Sequence, residues 1–131
     1  MRKIQMVDLQ GQYERIKNEV QASFEEVLNT TAFINGPQVQ ACLKELENYR
    51  SVKHVIPCAS GTHALQIAMM GLGLKEGDEV ITADFTFAAT VEVIALLKLT
   101  PVLVDVYDDT FNINIEAIEK AITPRTKAIV P

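Results

Sequence analysis

The chain has 131 residues, 48% of them hydrophobic and 22% charged, which gives it enough apolar material to bury one core and excludes a disordered or fibrous class. A formal charge of -5 leaves no general positive field for phosphate backbones or anionic lipid, so neither nucleic acid nor a membrane surface is an expected partner. Only Cys42 and Cys58 occur, outside any CxxC pair or His/Cys cluster, so neither a disulfide scaffold nor a metal site is expected, and both read as buried thiols in a reducing cytosol.

The opening MRKIQMVDLQ turns polar by Asp8, too early for a signal-peptide core, and no apolar run nears the ~20 residues of a membrane span. A soluble, cytoplasmic protein is expected. From Tyr13 to about Asn29, the residues Ile16, Val20, Phe24, Val27 and Leu28 recur at helical spacing, which predicts an amphipathic helix. Asn29 to Pro37 breaks the period with turn-forming residues and reads as an ordered loop. A second amphipathic helix follows, from Gln38 to about Tyr49, with Val39, Cys42, Leu43, Leu46 and Tyr49 inward.

The texture then changes. His54 to Cys58 reads as a short strand, Ala59 to Thr62 as a turn, and His63 to about Leu72 as a helix. Gly71, Gly73 and Gly77-Asp78 punctuate the connection to a buried strand over Glu79 to Ala83. Thr90 to Lys98 follows as a helix, Pro101 to Asp105 as a strand, Ile115 to Ile122 as a helix, and Lys127 to Val130 as a last strand. Apolar strands alternating with helices predict βαβ units and a mainly parallel sheet with helices on both faces, an α/β class. The shift near Ser51 divides the chain into an N-terminal helical arm, residues 1–50, and an α/β layer, residues 51–131. The last strand has no helix after it, so the sheet reads as incomplete and the chain as truncated.

In an open parallel sheet ligands sit beyond the carboxyl ends of the strands, which directs attention to the loops there. In the first, Ser60-Gly61-Thr62-His63, a glycine permits close backbone approach, hydroxyls can donate, and a helix opens whose free N–H groups and dipole favour a phosphate. The same residues also suit a plain helix cap. In the second, Ala83 to Thr90, Phe85 and Phe87 are read as pointing in different directions, so that one ring can enter the core while the other stacks on a planar ligand. Both rings in the core is the commoner arrangement for phenylalanine.

The runs CASGTHALQIAM, GDEVITADFTFAATVEVIALL and PVLVDVYDDTFNINIEAIEKAITPRTKAIVP, with VDLQGQYERIK and the FINGPQV loop, closely resemble the DegT-type family of pyridoxal-phosphate (PLP) sugar aminotransferases. The resemblance runs from about Ile4 to Pro131 and is strongest toward UDP-3-keto-N-acetylglucosaminuronate aminotransferases. It implies PLP fold type I, with residues 51–131 forming the first half of the large domain. It also implies that Gly61 and Thr62, flanked by Ser60 and by the His63 backbone N–H, hold the cofactor phosphate, and that Phe87 rather than Phe85 stacks on the pyridine ring. Thr31 and Phe33, in the loop before Gly36-Pro37, become sugar-nucleotide contacts. His63 stands where an acidic residue is common in the family, and Phe87 where Tyr or Trp is frequent. Asp105 is not the pyridinium partner in the family and reads as turn-forming.

The resemblance further implies that the pyridinium-pairing Asp, a ring-packing Gln and the Schiff-base Lys all lie beyond Pro131, so no catalytic residue is expected within the chain and this piece alone is expected to be inactive. The implied reaction moves an amino group from glutamate to a UDP-linked keto sugar for surface polysaccharide, lipopolysaccharide or O-antigen, in a homodimer. An inactive remnant or binding module of the same fold is the alternative. A Rossmann dinucleotide site is disfavoured, because no G-x-G-x-x-G follows the first strand.

Overall fold

Asp8 starts the first helix by accepting the Gly11 N–H at 2.9 Å, one of the donors that a helix N-terminus leaves unpaired. The computed structural model describes residues 6–131 and divides the chain into two compact units at Pro57/Cys58, each taken separately below. In the first unit, α1 spans Leu9–Thr30 and α2 spans Pro37–Arg50. Proline opens α2, where its missing N–H costs nothing, and α2 closes with Ser51 left-handed at φ 52° and Val52 N–H reaching back to the Glu47 carbonyl. The loop between them is ordered by its backbone. Thr31 and Asn35 adopt positive φ, and a Cβ on Gly36 would strike the Ala32 carbonyl oxygen, so only glycine fits there.

In the second unit, β1 (Glu79–Ala83) lies between two parallel neighbours, β2 (Thr100–Val104) and β3 (Thr126–Val130), in the order β2-β1-β3. Every residue of β1 is buried, Glu79 and Thr82 included, as expected for the central strand of a parallel sheet. The helices are α3 (Gly61–Gly71), α4 (Ala88–Leu96) and α5 (Ile115–Ala121). Met69 of α3, Val80 of β1, Val93 and Ile94 of α4 and Leu99 form one buried cluster, with Leu65, Leu74, Leu97, Ala128 and Val130 packed against it. Gly77, at φ 84°, makes the tight entry to β1; its N–H donates to the Lys98 carbonyl, while the Asp78 carboxylate accepts the Lys75 N–H at 2.8 Å.

Two expectations fail. The segment His54–Cys58 forms no strand among the described residues, although its short apolar run resembles those that do. Cys42 and Cys58 are exposed rather than buried, Cys58 because it falls in this unpaired extended stretch and Cys42 because α2 buries none of its residues. Among the described residues no helix is long and apolar enough to cross a membrane.

Candidate phosphate and ring site

The parallel pairing decides where ligand-binding loops gather. Chain leaving α3 enters the amino end of β1, and α3, at 1.5 Å per residue, is about as long as β1, roughly 16 Å. The N-terminus of α3 therefore lies at the carboxyl end of the sheet, the same end at which β1 passes into α4. Both helix N-termini present their positive ends there, and neither helix carries an acidic residue in its first turn to compensate it.

At the start of α3, Ser60 is fully extended and its Oγ accepts the His63 N–H at 3.3 Å, while its carbonyl accepts the Ala64 N–H at 3.0 Å. The His63 N–H is thus already engaged by Ser60. The Gly61 and Thr62 N–H groups have no acceptor among the described residues, and the Ser60 hydroxyl keeps its proton for donation. Ser60, Gly61, Thr62 and His63 are all exposed. Gly61 has ordinary negative φ, and a Cβ built on it would meet nothing within 4 Å. Neither strain nor crowding by the chain explains that glycine. A group outside the chain, approaching the backbone closely, would explain it.

Phe85 and Phe87 do not enter the core: they are 67% and 78% exposed. Their surroundings differ. The Phe85 ring packs against Phe111 at 5.4 Å between centroids, tilted by 36°, whereas Phe87 stands at the N-cap of α4 with no side-chain cap bond. Phe111 belongs to the loop following β2, which is braced throughout. The Asp105 carboxylate accepts the Val106 N–H at 2.8 Å, as expected of a turn residue, Val106 and Ile113 form an isolated antiparallel bridge, and Phe111 N–H donates to the Tyr107 carbonyl at 2.9 Å. The Tyr107 hydroxyl donates to the Glu116 carboxylate and accepts the Ile115 N–H at 3.3 Å. That bond to Glu116 holds the Tyr107 phenol above its ordinary value and the Glu116 carboxyl below its own.

The opposite end of β1 carries a buried charge. Glu79 is 3% exposed, and its carboxylate accepts the Thr123 hydroxyl at 2.5 Å and meets the Arg125 guanidinium at 2.6 Å. The Thr123 hydrogen bond first, then Arg125, hold the Glu79 carboxyl below the ordinary carboxylate value despite its burial. In the first unit, Thr31 caps α1 and its carbonyl accepts the Phe33 N–H at 2.9 Å, which leaves the Phe33 ring 64% exposed. Sequence reasoning missed Phe111 and the Glu79 cluster. The DTFNI run containing Phe111 was visible, but its contact with Phe85 is tertiary.

Residues 14–131 match the DegT/DnrJ/EryC1/StrS aminotransferase family, and the chain belongs to it. It is 46% identical over 128 residues, 98% of its length and 36% of the relative's, to the UDP-2-acetamido-2-deoxy-3-oxo-D-glucuronate aminotransferase of Pseudomonas aeruginosa. Its fold superimposes on a DegT/DnrJ/EryC1/StrS aminotransferase from Brucella abortus with a TM-score of 0.92 and 43% identity, covering 98% of this chain and 36% of that one. A third likeness is NtdA from Bacillus subtilis with bound cofactor PMP, at TM-score 0.82 and 38% identity, covering 86% of this chain and 26% of that one. The chain spans about a third of the length of the curated relatives it matches. The α/β fold read from the sequence is that of the family.

Proposed function

We propose that this chain contributes the cofactor phosphate cradle, one ring support and a substrate loop to a PLP-dependent aminotransferase acting on a UDP-linked keto sugar, with glutamate as amino donor, for surface polysaccharide. The single observation that carries the reading is the start of α3, where two unpaired N–H groups, a spare hydroxyl proton and an unexplained glycine occupy the positive end of a helix. These are the groups a phosphate dianion needs, and the residues present fit it. When bound, pyridoxal phosphate supplies an electron sink that lets an amino group be withdrawn from one substrate and delivered to another.

The chain's own residues do the holding. Gly61 and Thr62 donate their N–H groups, Thr62 and Ser60 add hydroxyl donors, and the His63 N–H keeps Ser60 Oγ in place rather than binding directly. Phe87 offers an uncommitted ring to one face of a planar pyridine. Residues 1–50 act as an arm whose Thr31 and Phe33 contact the sugar nucleotide, and residues 51–131 as part of the cofactor-binding domain. The partner is a second copy of the polypeptide, and covalent capture of the cofactor falls to a lysine outside residues 1–131. The names of the relatives support the UDP-sugar class, and the PMP-bound neighbour supports the cofactor.

Thr62→Ala and Gly61→Ala test the cradle in the full polypeptide. Thr62→Ala removes a hydroxyl donor to a charged phosphate, and Gly61→Ala keeps its N–H but puts a methyl where the phosphate approaches the backbone; each weakens PLP binding about tenfold or more, as read from the cofactor's dissociation constant. Gly61→Ala should leave the cofactor-free protein as stable as before, because the added methyl meets no neighbour. An unchanged dissociation constant in both variants removes the assignment.

A further inference from the structure

Phe111 is an unexpected residue for its backbone. It sits at φ 56°, in the left-handed region that bulky side chains avoid and that Asn or Gly enters readily. Its ring does not go to the core, since Phe111 is 61% exposed. Its contact is Phe85, at 5.4 Å between centroids. The loop that presents it is cross-braced by the Val106–Ile113 bridge, by the bond from Phe111 N–H to Tyr107 and by the Tyr107–Glu116 pair. A braced loop that holds an aromatic ring in a disfavoured backbone conformation, against a ring on the neighbouring strand's loop, is built to support that second loop.

The supported loop is short. Ala83 ends β1 and Ala88 begins α4, so Phe85 is anchored only two residues from Phe87. The chain bends at residues 84–86 between the end of β1 and the N-cap of α4, and Phe87, at φ -70° and ψ 133°, is left 78% exposed outside the Phe85–Phe111 pair. We propose that Phe111 is a positioning residue: through Phe85 it fixes the β1–α4 loop so that the Phe87 ring is presented, pre-oriented, to the cofactor. The inference rests on the reading of Phe87 as the ring support.

The test uses the full polypeptide, with PLP itself as the titrant. Phe111→Asn removes the ring while suiting the left-handed backbone, so the thermal midpoint of the cofactor-free protein should hold. The PLP dissociation constant should rise about three- to tenfold, and the visible circular dichroism of the bound cofactor should fall, because the ring beneath it is no longer fixed. Phe111→Tyr should restore both. Phe85→Leu, which breaks the pair from the other side, should give a similar loss, and the Phe85→Leu/Phe111→Asn double variant should be no worse than either single. Wild-type affinity and dichroism in Phe111→Asn, or additive losses in the double variant, would overturn the proposal. Phe87→Ala separates the two readings: if it weakens PLP binding while Phe111→Asn does not, the positioning role alone falls, and if neither does, the ring assignment falls with it.

Discussion

Glu79 shows how much one side chain can hide from a linear reading. It sits in a run that reads correctly as buried strand, yet it is charged, and the partners that make its burial tolerable are Thr123 and Arg125, far along the chain. Nothing local announces them. Because the folded carboxyl titrates below its ordinary value, its contribution to stability is complete above the ordinary carboxylate pKa of 4.5 and is lost as pH falls through the depressed folded value. Glu79→Gln should therefore lower the thermal midpoint at pH 7 and reduce the difference between that midpoint and the one at pH 3, both by calorimetry. Phe87 and Phe85 make the complementary case. Spacing alone leaves open which ring, if either, is buried; the structure exposes both and commits Phe85 to Phe111, a contact between loops that no periodicity encodes.

At the scale of elements, β1, β2, β3 and their helices were legible because short, mainly apolar runs alternate with helical patterns, as in a parallel sheet joined by helices, although only β1 is buried throughout. The segment His54–Cys58 has a similar texture and fails as a strand, since a strand is defined by partners; its Pro57 does not decide this, because β2 holds Pro101 and still pairs with β1. Packing around β1 is correspondingly unforgiving. Ile94 of α4 is fully buried in the cluster with Val80 and Met69, so Ile94→Ala should cost about 2–5 kcal/mol by denaturant unfolding, through lost transfer energy and an unfilled cavity. Gly77→Ala should cost about 1–2 kcal/mol for a different reason: a Cβ there meets nothing, but φ is 84°. A measured cost near zero would mean that the turn can rearrange.

For the molecule as a whole, the sequence announced amphipathic helices but not what covers them. Helix α1 buries no residue, and Phe24 and Leu28 are 66% and 63% exposed. Phe24, together with Ile16, Val20 and Val27, borders a cavity of about 480 Å³ that also takes in Gln38. An apolar surface of this kind on an isolated chain favours association. The 131-residue chain should elute from size exclusion larger than a monomer and brighten an apolar dye, and Phe24→Glu should reduce both; a dye-silent monomer would show that the stripe is closed in solution.

The order β2-β1-β3 also sets a timetable for synthesis. The innermost strand is made before either flank, and Glu79 must wait for Thr126, 47 residues later, before its second ladder can close. At ~5–20 residues per second on a ribosome that interval is roughly 2–9 s, during which the most water-averse ribbon of the protein has no lateral partner on one side. Chaperone capture during translation should therefore concentrate on nascent chains that have exposed β1 but not yet β3.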